Sequence, residues 1–312
     1  MPCDPYEPVD VSSWEVVREE TSGAESKWWL REPGTRDDWL FKTVTVKDGH
    51  VHGEDWAEGA ASVLAGVAGI PAAQCATATR VDEAAELRMQ GSISLNLAPP
   101  SFDLLEGRLL LERFPGYVHQ TGRRGGHPGH SLQNIRTVLE GAHPPPGSLL
   151  PFDATAFDVF AGYVMFDAWI ANTDRHDNNW AILRHATDQD QPIYLCGSYD
   201  HASCLGFGVT DAKRAMRLAR PELMLKWCEK GLASCFEHTP EERVPSLVDV
   251  AKRALEMAAP RAMAHWLARL ARVSNAEIHE IMLGIPGMSE PARNFAVSVL
   301  EINRRRVLDA CS

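Results

Sequence analysis

Ala171-Asn-Thr-Asp-Arg-His-Asp-Asn-Asn-Trp180 follows a long apolar stretch, and Ile193-Tyr-Leu-Cys-Gly-Ser-Tyr-Asp200 comes soon after it beyond a polar turn. Polar density this high beside a core helix calls for a chemical reason. An acid and an amide five residues apart share one tight loop, and a second acid arrives at the end of a neighbouring strand. Phosphoryl transfer needs that set: one carboxylate to orient the attacking hydroxyl, and an amide oxygen plus a second carboxylate to hold a divalent ion on the phosphates. Asp174, Asn179 and Asp200 supply it. Taken alone, the same string is also a solvated turn whose Asp and Asn side chains bond their own backbone.

Working outward, Asp153 is placed to cap a helix running through Phe160, Tyr163, Val164, Phe166 and Ile170. Downstream the pattern stays helical: Ser274-x-x-Glu277 is a capping box, and Ser289 opens a last helix with Phe295, Val299, Ile302 and Val307 on its apolar face. Upstream, Lys27–Leu30, Trp39–Val46 and Leu109–Phe114 read as short strands, and Trp56–Gly69 as a helix stopped by Gly69-Ile-Pro71. Trp28 and Trp29, adjacent on a strand, must face opposite sides. Residues 117 to 151 are rich in Gly and Pro around a short helix at Leu132–Leu139. The histidines at 119, 127, 130 and 143 fall there without ligand spacing and are expected in solvated loop.

Composition narrows the classes. The chain has 312 residues, 45% hydrophobic, and a formal charge of −11, so direct nucleic-acid binding through bulk positive charge is excluded. The longest apolar stretches, 60–73 and 159–171, are too short to span a bilayer. Met1–Asp10 has no Lys or Arg and no apolar run after it, so no secretory signal is expected. Seven scattered cysteines without a C-x-x-C pair point to a reducing, cytoplasmic setting.

The D-x-x-x-x-N spacing is that of protein-kinase catalytic loops, and further fragments follow in kinase order. Asn172-Thr-Asp-Arg-His-Asp-Asn-Asn179 and Ser198-Tyr-Asp-His-Ala-Ser-Cys-Leu-Gly206 resemble the catalytic loop and metal-binding segment of the HipA-like kinases. These are bacterial serine/threonine kinases distantly related to phosphatidylinositol kinases. Ser22-Gly-Ala-Glu-Ser-Lys27 is similar to their phosphate loop, Leu40-Phe-Lys42 to the strand bearing the ATP lysine, and Ala57-Glu58 to the helix of its glutamate partner. Leu110-Leu-Glu-Arg-Phe114 looks like the hinge.

The resemblance implies an α+β, bilobal protein-kinase-like fold, with a small β-rich N-lobe (residues 1–115) and a larger, mainly helical C-lobe (116–312). It implies ATP and Mg²⁺ as cofactors and a serine or threonine of a protein as acceptor. Asp174 would orient the hydroxyl and Asn179 and Asp200 would hold metal. Lys42, oriented by Glu58, would reach the phosphates under a cover containing Ser22, Gly23, Ala24 and Lys27. Glu112 and Phe114 would meet adenine through their backbones. His176 would buttress the loop near Asp200, Arg175 would support it, and Asp167 would bond its backbone. Where the family loop carries a regulatory serine this chain has Glu20, leaving Thr21, Ser22 or Ser26 as acceptors for autophosphorylation. An antitoxin-like partner stays open, with little room for the extra N-terminal segment of the family's toxins. Two other readings also stay open: a lipid or small-molecule kinase, whose loops are similar, and a catalytically silent kinase-like module. In an acidic protein, binding of an anionic nucleotide is expected to depend sharply on metal.

Overall fold

Lys27–Arg31 places Trp28 and Leu30 on one face of a strand and Lys27, Trp29 and Arg31 on the other, the period-two alternation that lets a sheet bury two different surfaces. The computed structural model describes residues 6–20, 27–82, 86–119, 126–148, 150–151, 153–239 and 243–312. In chain order the first lobe comprises β1 (Val9–Asp10), β2 (Glu15–Glu20), β3 (Lys27–Arg31), β4 (Asp38–Thr43), a small hairpin of β5 (Val46–Lys47) and β6 (His50–Val51), helix α1 (Glu54–Ala68), β7 (Cys75–Asp82) and β8 (Leu87–Leu95). Six of these strands form one sheet in the order β1-β7-β8-β4-β3-β2. Leu30, Trp39, Phe41, Ala76, Ala78 and Ile93 fill its outer face together with Val11.

On the inner face, register sets the functional rows. Glu20 lies opposite Lys27, Lys27 opposite Lys42, and Lys42 opposite Ser92; further along, Trp29 lies opposite Leu40 and Leu40 opposite Ser94. Helix α1 packs on β7 and β8. Its first turn carries Glu54 and Asp55, which favour the positive end of the helix dipole, and it stops at Gly69, whose φ of 73° is left-handed.

Gly91 sits mid-strand in β8 because β4 passes too close for a side chain: a Cβ there would lie 1.9 Å from the Lys42 carbonyl oxygen. Gly91→Ala is expected to push β4 and β8 apart and destabilise the protein by roughly 3 kcal/mol. Denaturant titration reads this as a lowered midpoint, and an unchanged midpoint would refute the packing described.

The second lobe contains β9 (Phe102–Glu106), α2 (Gly107–Leu111), α3 (Leu132–Val138), α4 (Ala156–Ile170), β10 (Ala181–His185), β11 (Tyr194–Leu195), α5 (Asp211–Leu218), α6 (Pro221–Glu229), α7 (Leu247–Met257), α8 (Pro260–Arg272), α9 (Asn275–Gly284) and α10 (Glu290–Cys311). Every residue of α4 is buried, as befits a helix at the centre of a bundle, and its two acids, Asp158 and Asp167, are both hydrogen-bonded. Helices α7, α8 and α10 surround it. Its N-cap is Thr155 rather than Asp153: Thr155 Oγ1 accepts from Asp158 N at 3.1 Å while Asp158 Oδ2 accepts from Thr155 N at 2.9 Å. This reciprocal box satisfies two orphan donors where a lone Asp153 would satisfy one. The box at Ser274 and the cap at Ser289 form as expected. No helix among the described residues is long and apolar enough to cross a membrane.

The α+β, two-lobed arrangement expected from the sequence is present. Two further local expectations fail. Leu109–Phe114 is not a strand: Gly107–Leu111 is helical and a turn follows. Strand β10 is already paired on both sides, by β9 and β11, and backbone bonds from Gly107 N to Trp180 O (2.8 Å) and Arg108 N to Asp177 O (2.9 Å) end the ladder there. The leucine-rich segment that follows winds into a helix instead. The chain thus leaves the six-stranded sheet at Leu95 and joins the three-stranded sheet at Phe102. Second, His127 and His130 are buried, not solvated.

His130 stacks against Trp180 and Phe236, accepts from Trp180 Nε1 at 3.1 Å and donates through Nδ1 to Cys235 O at 2.6 Å. A neutral ring meets both partners, and burial lowers its pKa from 6.5 to about 4, partly offset by the Cys235 carbonyl. The unfolded chain therefore binds this proton first as pH falls. Stability held above pH 6.5 is expected to drain away towards pH 4. Melting curves across that range should slope less steeply in His130→Gln; equal slopes would show that His130 does not set the acid sensitivity.

Candidate active site

The loop that leaves α4 is shaped from beneath by a buried ion pair. Ala171 caps the helix with a left-handed φ of 57°, turning the chain sharply into Asn172. Arg175, 1% exposed, donates to both oxygens of Asp167 at 2.7 and 2.8 Å. The same guanidinium reaches Asn179 O at 2.5 Å, Tyr199 O at 3.4 Å and Ser198 Oγ at 2.8 Å, and Ser198 in turn lies 2.8 Å from His201 Nε2. One planar cation thereby ties the helix, the loop and the segment carrying Asp200. Asp167 also accepts from Asn172 Nδ2 at 2.8 Å. Its carboxylate therefore grips loop side chains, where a bond to the loop backbone was expected.

Above this base the loop is closed by its own polar groups. Asp174 N donates to Asn172 Oδ1 (3.2 Å), and Asn179 Nδ2 donates to Asp174 O (2.7 Å). The Asn179 nitrogen is therefore committed and its oxygen is left for another partner. Asp177, 1% exposed, accepts from the Tyr117 hydroxyl and lies 3.0 Å from His119 Nδ1, so the residues after α2 are docked on the loop.

Lys42 reaches across from β4 and pairs with Asp200 at 2.9 Å. Asp200 has φ of 58°, a left-handed conformation uncommon for a residue other than glycine and one that places strain at the site. Burial alone would lower the Lys42 pKa and raise that of Asp200. The mutual attraction wins in both, so Lys42 is held above and Asp200 below its ordinary value. Glu58, on α1, lies behind the pair: its Oε1 accepts from His201 N at 3.1 Å, while Oε2 is buried without a hydrogen-bond partner. Burial raises the Glu58 carboxyl despite the nearby Lys42 charge. In this state Asp200, not Glu58, holds the ammonium.

A cleft of about 560 Å³ opens between the lobes, a size suited to a nucleotide-sized ligand. Trp29 and Leu40 line its roof, Leu104 and Tyr199 are on the second-lobe side, and Ser94–Leu97 form the connecting wall. Trp28 packs on the outer core against Phe41, so the two tryptophans do part company.

The structure brings Lys27, Lys42, His176, Asn179 and Asp200 to this one cleft, with Asp174 beside Asn179 and Glu58 behind Asp200. His176 lines the cleft, but its Nδ1 accepts from Asn178 N at 3.1 Å; the buttress beside Asp200 is made by Arg175, Ser198 and His201. Glu112 and Phe114 are not brought there. Glu112 is exposed beside Arg108, and Phe114 packs on the second lobe's core. Ser22, Gly23 and Ala24 lie outside the described residues. The connecting wall was missed although Ser92-Ile-Ser-Leu-Asn-Leu97, followed by Pro99-Pro100, is a clear alternating strand signal.

The two lobes and the cleft between them define a HipA-like, protein-kinase-like fold. Helicobacter pylori CtkA, described as a proinflammatory kinase, matches with a TM-score of 0.71 at 15% identity, over 98% of this chain and 97% of that one. HipA of Shewanella oneidensis, seen in a toxin–antitoxin complex with HipB and operator DNA, matches with a TM-score of 0.54 at 13% identity, over 96% of this chain and 66% of that one. No protein-family model and no curated protein matches the sequence.

Proposed function

We propose that this protein is an ATP- and Mg²⁺-dependent kinase that transfers the γ-phosphate to a serine or threonine of a protein. The observation that carries this reading is the convergence at one cleft of Lys42, Asp200 and the Asp174–Asn179 loop, three chemically matched parts from distant stretches of chain. Asp174 accepts the hydroxyl's proton or orients it, Asn179 Oδ1 and the Asp200 carboxylate hold the metal, and Lys42 steadies the phosphates. Lys27, opposite Lys42 in the sheet, adds a second cation over the phosphates.

The donor set fits Mg²⁺. Asn179 and Asp200 offer hard oxygen ligands. Among the described residues no group of three or more His, Cys, Asp or Glu side chains is arranged to hold a metal, so phosphate oxygens and water would complete the shell, as is usual for this ion. When bound, the metal supplies charge neutralisation on the phosphates. Adenine would lie under Trp29 and Leu40 and meet the backbone of Ser94–Leu97, which replaces Glu112 and Phe114 as the hinge and moves the lobe junction to about residues 96–101. The phosphate cover stays assigned to Ser22, Gly23 and Ala24.

The test is incubation with Mg-ATP in the presence of serine/threonine protein acceptors or phosphoinositide vesicles, with mass spectrometry of all components and Asp174→Asn as control. ADP formation with phosphate on protein hydroxyls is expected. Phosphate only on lipid would make it a lipid kinase. Nucleotide binding without turnover would make it a silent binding module.

A further inference from the structure

Ser203 stands three residues beyond Asp200, a separation of at most about 10 Å of chain, and its Oγ donates to Asp174 Oδ2 at 3.4 Å. The segment is not free to swing. Leu205 N bonds Ile170 O at 2.9 Å at the end of α4, Cys204 Sγ reaches Ala57 O at 3.6 Å on α1, and Cys204 and Leu205 are fully buried. Ser203 itself is half-buried. The fold thus anchors a primary hydroxyl on the carboxylate that would orient an acceptor, close in sequence to the carboxylate that would hold the metal. The 3.4 Å separation is long for O–H···O, and such contacts tighten when a catalytic site is filled.

We propose that Ser203 is an internal phosphoacceptor: the protein transfers phosphate to its own Ser203 within the same chain, and the phosphoserine then blocks the site. This rests on the kinase reading. In the step, the bond between Ser203 Oγ and the γ-phosphorus forms, the bond from that phosphorus to the β,γ-bridging oxygen breaks, and ADP departs with the electron pair. The hydroxyl proton passes to Asp174. The product carries a charge of about −1.5 to −2 beside Asp174 and Asp200. Repulsion between these anions and occupation of the acceptor position both oppose a second turnover, so the reaction limits itself. It differs in place from modification of the loop at Thr21, Ser22 or Ser26.

The experiment compares wild type, Ser203→Ala, Ser203→Thr and Asp174→Asn, each pretreated with phosphatase and then given Mg-ATP. Site-resolved mass spectrometry and ADP release are followed against time. Expected are one phosphate on Ser203, or on the introduced hydroxyl of the Ser203→Thr variant, at a rate independent of protein concentration. Wild-type activity on an added protein acceptor should decline as this phosphate accumulates, and the Ser203→Ala variant should show no such decline. Phosphate on other residues or on the added acceptor, with Ser203 unmodified, overturns this proposal and leaves the kinase reading standing. A rate rising with protein concentration overturns the same-chain step. No ADP and no phosphate anywhere removes both.

Discussion

Asp174→Asn is expected to lower phosphoryl transfer by roughly 10²- to 10⁴-fold, the range associated with loss of a positioned general base, while nucleotide still binds. The substitution preserves size and keeps the backbone contacts that shape the loop, because Asn179 Nδ2 bonds the Asp174 carbonyl and Asp174 N bonds Asn172 Oδ1. Only the side-chain carboxylate changes, and an amide neither takes a proton nor attracts a hydroxyl's hydrogen as strongly. The residues that would hold the nucleotide, Trp29, Leu40, Lys42 and Asp200, are untouched. ADP release and calorimetric titration with Mg-ATP read the two effects separately. Turnover equal to wild type would remove Asp174 from the mechanism.

Asp167→Ala is expected to cost about 3–5 kcal/mol of stability, since it strands the Arg175 guanidinium, 1% exposed, without its bidentate partner. Activity should fall with it, because the same guanidinium positions Asn179 O and Ser198 Oγ. The double variant Asp167→Ala/Arg175→Met separates the two roles. Removing both charges relieves the desolvation penalty and should restore much of the stability, yet the loop has lost the cation that ties it to the Asp200 segment, so activity should stay low. A fully active double variant would show that the pair serves folding alone. Denaturant midpoints and ADP release measure the two outcomes.

The parts of the site held within one short stretch are legible in the sequence. Asp174 to Asn179 is closed by bonds spanning five residues or fewer, and α1, the Ser274 box and the Ser289 cap depend on neighbours three or four positions away. Residues whose role depends on a distant partner were harder to place. Leu110–Phe114 suits either a strand or a helix, and the distant contacts of Gly107 N with Trp180 O and of Arg108 N with Asp177 O turn the chain into a helix just ahead of it. His130 looked like loop because its aromatic partners, Trp180 and Phe236, lie far along the chain. Arg175 read as a supporting residue, although its contacts with Asp167, Ser198 and Tyr199 make it the hub of the site.

By itself, then, the sequence determined the chemical inventory: a carboxylate–amide loop after a mainly apolar helix, a second carboxylate after a strand, and a lysine among aromatic and aliphatic neighbours. Local propensity and short-range hydrogen bonds suffice for that. Only the tertiary structure decided the pairings: Asp200 rather than Glu58 on Lys42, Trp29 rather than Trp28 over the cleft, Ser94–Leu97 rather than Glu112–Phe114 as its wall. These follow from sheet register and from which buried charge finds its counter-charge, and both are settled by contacts between stretches that no short window of sequence contains.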